Sequence, residues 1–154
     1  MEFPSHLKLS LLSFILLLSS SQILATNVHY CDKEVDYAVK VDGVKISPNP
    51  VVRGKLATFN ISAATGEAVS GGKLIIDVSY FGVHVHTETH DLCEQASCPI
   101  AAGDFVLSHA QTLPSFAPPG SYALKMTMED EKNEELTCIT FNFKIGFGSS
   151  VSDT

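Results

Sequence analysis

Tryptophan is absent from this chain, charged residues are only 18% of it, and its 10 lysines and arginines are outnumbered by 17 acidic residues, leaving a formal charge of −7. The shortage of positive charge disfavours nucleic acid and strongly anionic surfaces as partners. Gly-x-Ser-x-Gly, a phosphate-binding glycine loop and the His-Glu-x-x-His helix motif are also missing, so the familiar signatures of nucleophile, nucleotide and zinc-protease chemistry have no anchor. Without a Cys-x-x-Cys pair, zinc-thiolate ligation is disfavoured as well, and no cofactor is expected. Paired acids occur at Glu129-Asp130 and Glu134-Glu135, but they sit in a polar turn and read as a solvated loop, not as a general acid and base. Enzyme function therefore finds little support.

Long apolar runs are confined to the N-terminus. Residues 1–25 combine a weakly basic start (His6, Lys8), an apolar stretch through Leu11-Leu12 and Phe14-Ile15-Leu16-Leu17-Leu18, and a small residue, Ala25, at a plausible cleavage point. This reads as a signal peptide. The stretch is interrupted by serines, is short for a span and has no basic flank after it, which argues against a membrane anchor. The remainder fits one domain, and the chain ends without a retention signal. The expectation is a protein that is secreted or delivered to an endomembrane or vacuolar lumen.

The four cysteines, Cys31, Cys93, Cys98 and Cys138, all follow that segment. An even number in an oxidising compartment argues for two disulfides, although four cysteines allow three connectivities. The close pair Cys93 and Cys98 most simply bridges a small loop, which leaves Cys31 to join Cys138 and tie the start of the domain to its last strand.

Period-two alternation dominates the rest. From Lys55 to Ser62, Ala57, Phe59 and Ile61 oppose Thr58, Asn60 and Ser62; from Lys73 to Tyr80, Leu74, Ile76, Val78 and Tyr80 oppose Lys73, Asp77 and Ser79. Between Ser121 and Met128, Tyr122, Leu124, Met126 and Met128 share a face, as do Ile139, Phe141, Phe143 and Ile145 in the last strand. Breakers such as Ser47-Pro48-Asn49-Pro50, Gly71-Gly72 and Ala117-Pro118-Pro119-Gly120 separate these runs, and Glu129 to Glu135 reads as a hairpin connection. About seven short strands with such turns predict an all-β fold, an antiparallel β-sandwich, over residues 26–146, with a mobile tail at 147–154. Asn60-Ile61-Ser62 is an N-glycosylation acceptor on the polar face of its strand.

One segment invites a metal reading. In Gly82-Val83-His84-Val85-His86-Thr87-Glu88-Thr89-His90, a regular strand places His84 and His86 on one face about 7 Å apart, with Glu88 and His90 continuing that face. A His-Val-His strand in a sandwich is similar to that of copper/zinc superoxide dismutases, but the glycine-containing turn and later histidine cluster of that family are missing. Histidines on the polar face of an exposed strand are the simpler reading, with no metal site; a metal-dependent enzyme on the His84/His86 strand is the minor alternative.

Landmarks around the cysteines carry a broader resemblance. In order they are Cys31; Ser47-Pro48-x-Pro50; Gly54-Lys55 and the strand with Asn60-Ile61-Ser62; Cys93 with Cys98-Pro99-Ile100; Leu113-Pro114; and Glu129-Asp130-x-Lys132-Asn133 leading into Leu136-x-Cys138. This pattern resembles the secreted lipid-recognition (ML) domain family, which includes Niemann–Pick type C sterol carriers and group two mite allergens, and is most similar to its plant phosphatidylglycerol/phosphatidylinositol transfer branch. The resemblance implies an immunoglobulin-like β-sandwich with a lipid cavity between its sheets, and a non-enzymatic carrier of a sterol or phospholipid that touches membranes transiently. The alternative it implies is a module presenting lipid to a receptor protein; a monomer is expected in either case. Strand phase then places Phe59, Ile61, Leu74, Ile76, Val78 and Tyr80, and also Tyr122, Leu124, Met126, Phe141 and Phe143, on the lipid-facing side. Pro99, Phe105 and Leu107 are the expected pocket mouth. The animal sterol carriers have a third disulfide where this chain has Asn49, so the resemblance implies lipid without fixing sterol.

Overall fold

The computed structural model describes residues 26–147; residues 1–25, read as a signal peptide, and 148–154 of the expected tail lie outside the described residues. Eight strands and one short helix follow in the order β1 (Val28–Tyr30), β2 (Val39–Ser47), β3 (Leu56–Thr65), β4 (Gly72–Tyr80), β5 (Val83–Asp91), α1 (Leu92–Gln95), β6 (Gly103–Thr112), β7 (Gly120–Asp130) and β8 (Glu135–Ile145). They form two antiparallel sheets, a five-stranded one ordered β1-β8-β7-β4-β5 and a three-stranded one ordered β2-β3-β6. This is the expected immunoglobulin-like sandwich, with one strand more than the turns suggested.

Alternation sets the layers because successive side chains leave opposite faces of a pleated strand. Ala57, Phe59 and Ile61 of β3 are buried, and so are Leu74 and Ile76 of β4, Tyr122 to Met128 at every second position of β7, and Ile139 to Ile145 at every second position of β8. Together they form one core cluster between the sheets. At about 25 cal/mol per Å² of apolar surface removed from water, this shared interior is the main force holding the sheets together.

Turn chemistry closes the elements. In the β7–β8 hairpin the Asp130 carboxylate accepts from the backbone N–H groups of Lys132 (2.8 Å) and Glu134 (2.9 Å), and Asn133 takes the left-handed conformation, φ 63°, that asparagine tolerates. Disulfides join Cys31 to Cys138 and Cys93 to Cys98, the expected pairing. The first locks the chain just after β1 onto β8, where the Cys31 N–H also donates to the Cys138 carbonyl at 2.9 Å. The second closes the α1 loop that carries the chain from β5, at the edge of one sheet, to β6, at the edge of the other.

Candidate functional site

A cavity of about 420 Å³ lies between the sheets. Its walls come from Phe59 of β3, from Ile76, Val78 and Tyr80 of β4, from Tyr122 and Leu124 of β7, and from Phe143 and Ile145 of β8. Its exposed lining residues lie on β5, an edge strand of the larger sheet, and on the segment that follows β6, an edge strand of the smaller one. There Val85, His86 and Glu88 of β5 line the cavity with His109 and Gln111 of β6, and Leu113, Pro114 and Phe116 to Pro118 form the rim.

Aromatic rings run across the interior in series. Phe59 meets Phe143 edge-on at 5.5 Å between ring centres, Phe143 stacks on Tyr122 at 5.5 Å, and Tyr122 stacks on Tyr80 at 4.6 Å. Both tyrosines use their polar tips to hold the rim: Tyr122 donates to the Pro118 carbonyl at 2.7 Å and Tyr80 to the Pro119 carbonyl at 3.1 Å. Burial, with Tyr80 beside it, raises the Tyr122 hydroxyl above its ordinary pKa, so it remains a donor at neutral pH. Large apolar side chains are exposed here: Phe116 (84%) and Val85 in the lining itself, and Phe81 (79%), which packs on the Tyr80 ring, with Val83 two residues on.

β5 departs from the regular strand expected of it. Val78 pairs with His86, but the next residue, Ser79, pairs with His84, so a bulge at Val85 puts the two histidines on opposite faces. His84 lies 2.6 Å from the Thr87 hydroxyl and 3.5 Å from Asp77, whereas His86 borders the cavity and lies 3.4 Å from Glu88. The His84/His86 metal pair therefore does not form. Beyond the bulge the inward phase is kept, and Glu88 approaches His90 at 3.3 Å and His109 at 3.0 Å, the latter across the gap between the sheets. Burial would raise the Glu88 carboxyl, but the neighbouring His90, His109 and His86 outweigh it and hold the group below the ordinary carboxylate range. Burial pushes the His109 imidazole below its ordinary value; Glu88 pulls it back up and His90 adds to the depression.

Of the residues placed on the inner faces by strand phase, Phe59, Ile76, Val78, Tyr80, Tyr122, Leu124 and Phe143 border the cavity. Ile61, Leu74, Met126 and Phe141 are buried in the solid part of the core instead. Of the residues expected at the pocket mouth, Pro99 is exposed, Phe105 half-buried and Leu107 fully buried, and none of them borders this cavity. Register explains this, since Leu107 pairs with Ile61 and Phe105 with Ala63, one and two inward steps along β6 from His109 opposite Phe59, where the cavity wall begins. The residues missed by phase, His109, Gln111 and the 113–118 segment, lie at the other end of β6. The inward run Phe105, Leu107, His109, Gln111 holds the signal for β6, disguised by two polar residues on a buried face.

Comparison with known proteins agrees with this architecture. The ML domain family matches residues 25–145, and the chain belongs to that family. A putative phosphatidylglycerol/phosphatidylinositol transfer protein of Dictyostelium discoideum is 31% identical over 134 residues, covering 82% of this chain and 92% of that protein. An MD-2-related lipid-recognition protein of Arabidopsis thaliana is 31% identical over 151 residues, covering 92% of this chain and 91% of that protein. Among solved structures, a Niemann-Pick type C2 protein from the Japanese carpenter ant superposes with a TM-score of 0.61 at 18% identity, over 77% of this chain and 98% of that one. Chicken MD-1, solved in complex with lipid IVa, gives 0.50 at 20% identity, over 77% and 87%. These two likenesses establish the shared fold.

Proposed function

We propose that this protein binds a lipid between its sheets and carries it between membranes without chemical change. The observation that carries this reading is the cavity itself, about 420 Å³ and walled by apolar and aromatic side chains, within the usual range of roughly 300–1,000 Å³ for small-molecule sites. Burying an acyl chain or sterol there removes apolar surface from water on both partners, which drives uptake. His86, Glu88, His109 and Gln111 form a polar strip along the opening where a headgroup can find partners. The name of the Dictyostelium relative favours a phospholipid, and that of the Arabidopsis relative a lipid of unspecified class.

Exchange requires the opening to meet a bilayer, and the apolar rim of Phe81, Val83, Val85 and Phe116 suits that contact. The two disulfides and the ML fold are those of an extracellular or lumenal protein, in keeping with removal of residues 1–25 as a signal peptide and with a glycan on Asn60. Asn60 faces outward from the middle strand of the smaller sheet, between Lys45 and Ser108.

Transfer of fluorescent phosphatidylglycerol, phosphatidylinositol and sterol between vesicles tests the reading. The wild-type protein should accelerate transfer of at least one of them, and Phe81→Ser with Val83→Ser, two exposed positions outside the cavity lining, should slow transfer while leaving equilibrium loading unchanged. Purified protein that takes up none of these lipids would overturn the proposal.

A further inference from the structure

Three side chains on the facing edge strands β5 and β6 converge on one point. Glu88 Oε1 lies 3.3 Å from His90 Nε2 and 3.0 Å from His109 Nε2, and the three ligand-type atoms all lie within 4.8 Å of one another. His86 Nε2 contacts the other carboxylate oxygen, Oε2, at 3.4 Å, and so orients the group. We propose that Glu88, His90 and His109 form a binding site for a divalent transition-metal ion, zinc by preference, that clips β5 to β6.

Geometry supports the ion. Tetrahedral zinc with bonds of about 2.0–2.1 Å holds neighbouring ligand atoms roughly 3.3 Å apart, close to the two oxygen–nitrogen separations here. A carboxylate with two imidazoles is a donor set that suits zinc. Hydrogen-bond accounting points the same way. His109 turns Nδ1 to Gln95 Oε1 at 3.1 Å and Nε2 to Glu88 Oε1 at 3.0 Å, whereas a neutral imidazole has one N–H to donate. Turning the Gln95 amide over would satisfy His109 alone. It does nothing for His90, whose Nε2 is buried beside the same carboxylate oxygen and has no hydrogen-bond partner. A cation at the common point satisfies Oε1 and both imidazole nitrogens at once, and Gln95 then accepts from His109 Nδ1–H as an outer-shell orienting group. His90 and Glu88 are partly exposed, which leaves the ion a way in.

Glu88 and His109 also border the cavity, so zinc is added to lipid-free protein and the site is read without cargo. Titration of zinc into the intact, chelator-treated protein at neutral pH, read by competition with a chromophoric chelator, should give one equivalent bound. Cobalt in the same site should show the intense visible bands of a four-coordinate ion. Glu88→Gln and His90→Asn, both at partly exposed positions, should each weaken zinc binding at least about tenfold, with thermal melts confirming that the variants fold. His84→Asn, on the opposite face of β5, should leave affinity unchanged. Sub-stoichiometric binding, or affinity that survives Glu88→Gln and His90→Asn, would overturn the site whatever the outcome of the lipid-transfer assays.

Discussion

The Tyr122 hydroxyl donates to the Pro118 carbonyl oxygen at 2.7 Å, so a residue in the cavity wall also fastens the segment that forms its rim. Tyr122→Phe keeps the ring that stacks on Phe143 and Tyr80 and removes only this tether. The lost hydrogen bond should cost about 1 kcal/mol, a fall of about 4 °C in Tm for a domain of this size. Lipid should leave faster, with little change in how much is bound at saturation. An unchanged melting temperature together with unchanged exchange would show that the rim is held by other contacts.

The disulfides should contribute unequally. Cys31–Cys138 spans a sequence separation of 107 residues and Cys93–Cys98 one of 5. In the chain-entropy model these closures stabilise by about 5 and about 2 kcal/mol respectively. Replacing Cys31 and Cys138 by serine should therefore bring the protein close to unfolding at room temperature, whereas the Cys93/Cys98 double serine variant should remain folded with a reduced denaturant midpoint. Chemical denaturation of the two variants side by side measures the difference, and equal losses would mean that the short loop contributes by a route other than chain entropy.

Legibility from sequence followed the alternation. β3, β7 and β8 each bury one face continuously, β4 buries Leu74 and Ile76 and half-buries Val78 and Tyr80, and these inward positions are readable from Phe59 through Phe143. β5 was opaque, because an edge strand with a bulge at Val85 shows no period that separates His84 from His86. The cavity rim was opaque for another reason. Leu113, Pro114 and Ala117-Pro118 look like any turn, and their role comes from Tyr80 and Tyr122 reaching them across the fold, a relation that no local pattern encodes. The Glu88–His109 contact likewise joins edges that share no backbone pairing.

Gly72 at the start of β4 has φ 147°, and a Cβ added there would collide with the Glu129 carbonyl of β7. Gly72→Ala should therefore lower stability by more than about 1 kcal/mol, because the strand pair must shift or the backbone must adopt a conformation that alanine resists. Gly43→Ala makes a useful contrast, since a Cβ at that position meets open space. Thermal melts of the two variants should differ clearly; a Gly72→Ala protein as stable as Gly43→Ala would show that β4 and β7 can separate locally at no cost.

Val78 offers the sharpest separation of binding from stability. It is half-buried in the cavity wall on β4, level with Leu124 of β7 on one side and His86 of β5 on the other. Enlarging it in a tightly filled core would force neighbours off their rotamers, but here the added ring of Val78→Phe projects into the open volume, so little overpacking strain is expected. The same ring occupies space that an acyl chain or sterol would need. Lipid loading, read by native mass spectrometry after incubation with vesicles, should fall on the order of tenfold while Tm stays within a few degrees of wild type. Val106→Phe adds the same ring at an exposed position of β6 outside the cavity and should leave loading intact. Full loading of the Val78→Phe protein would place the ligand away from this cavity and remove the main support for the carrier mechanism.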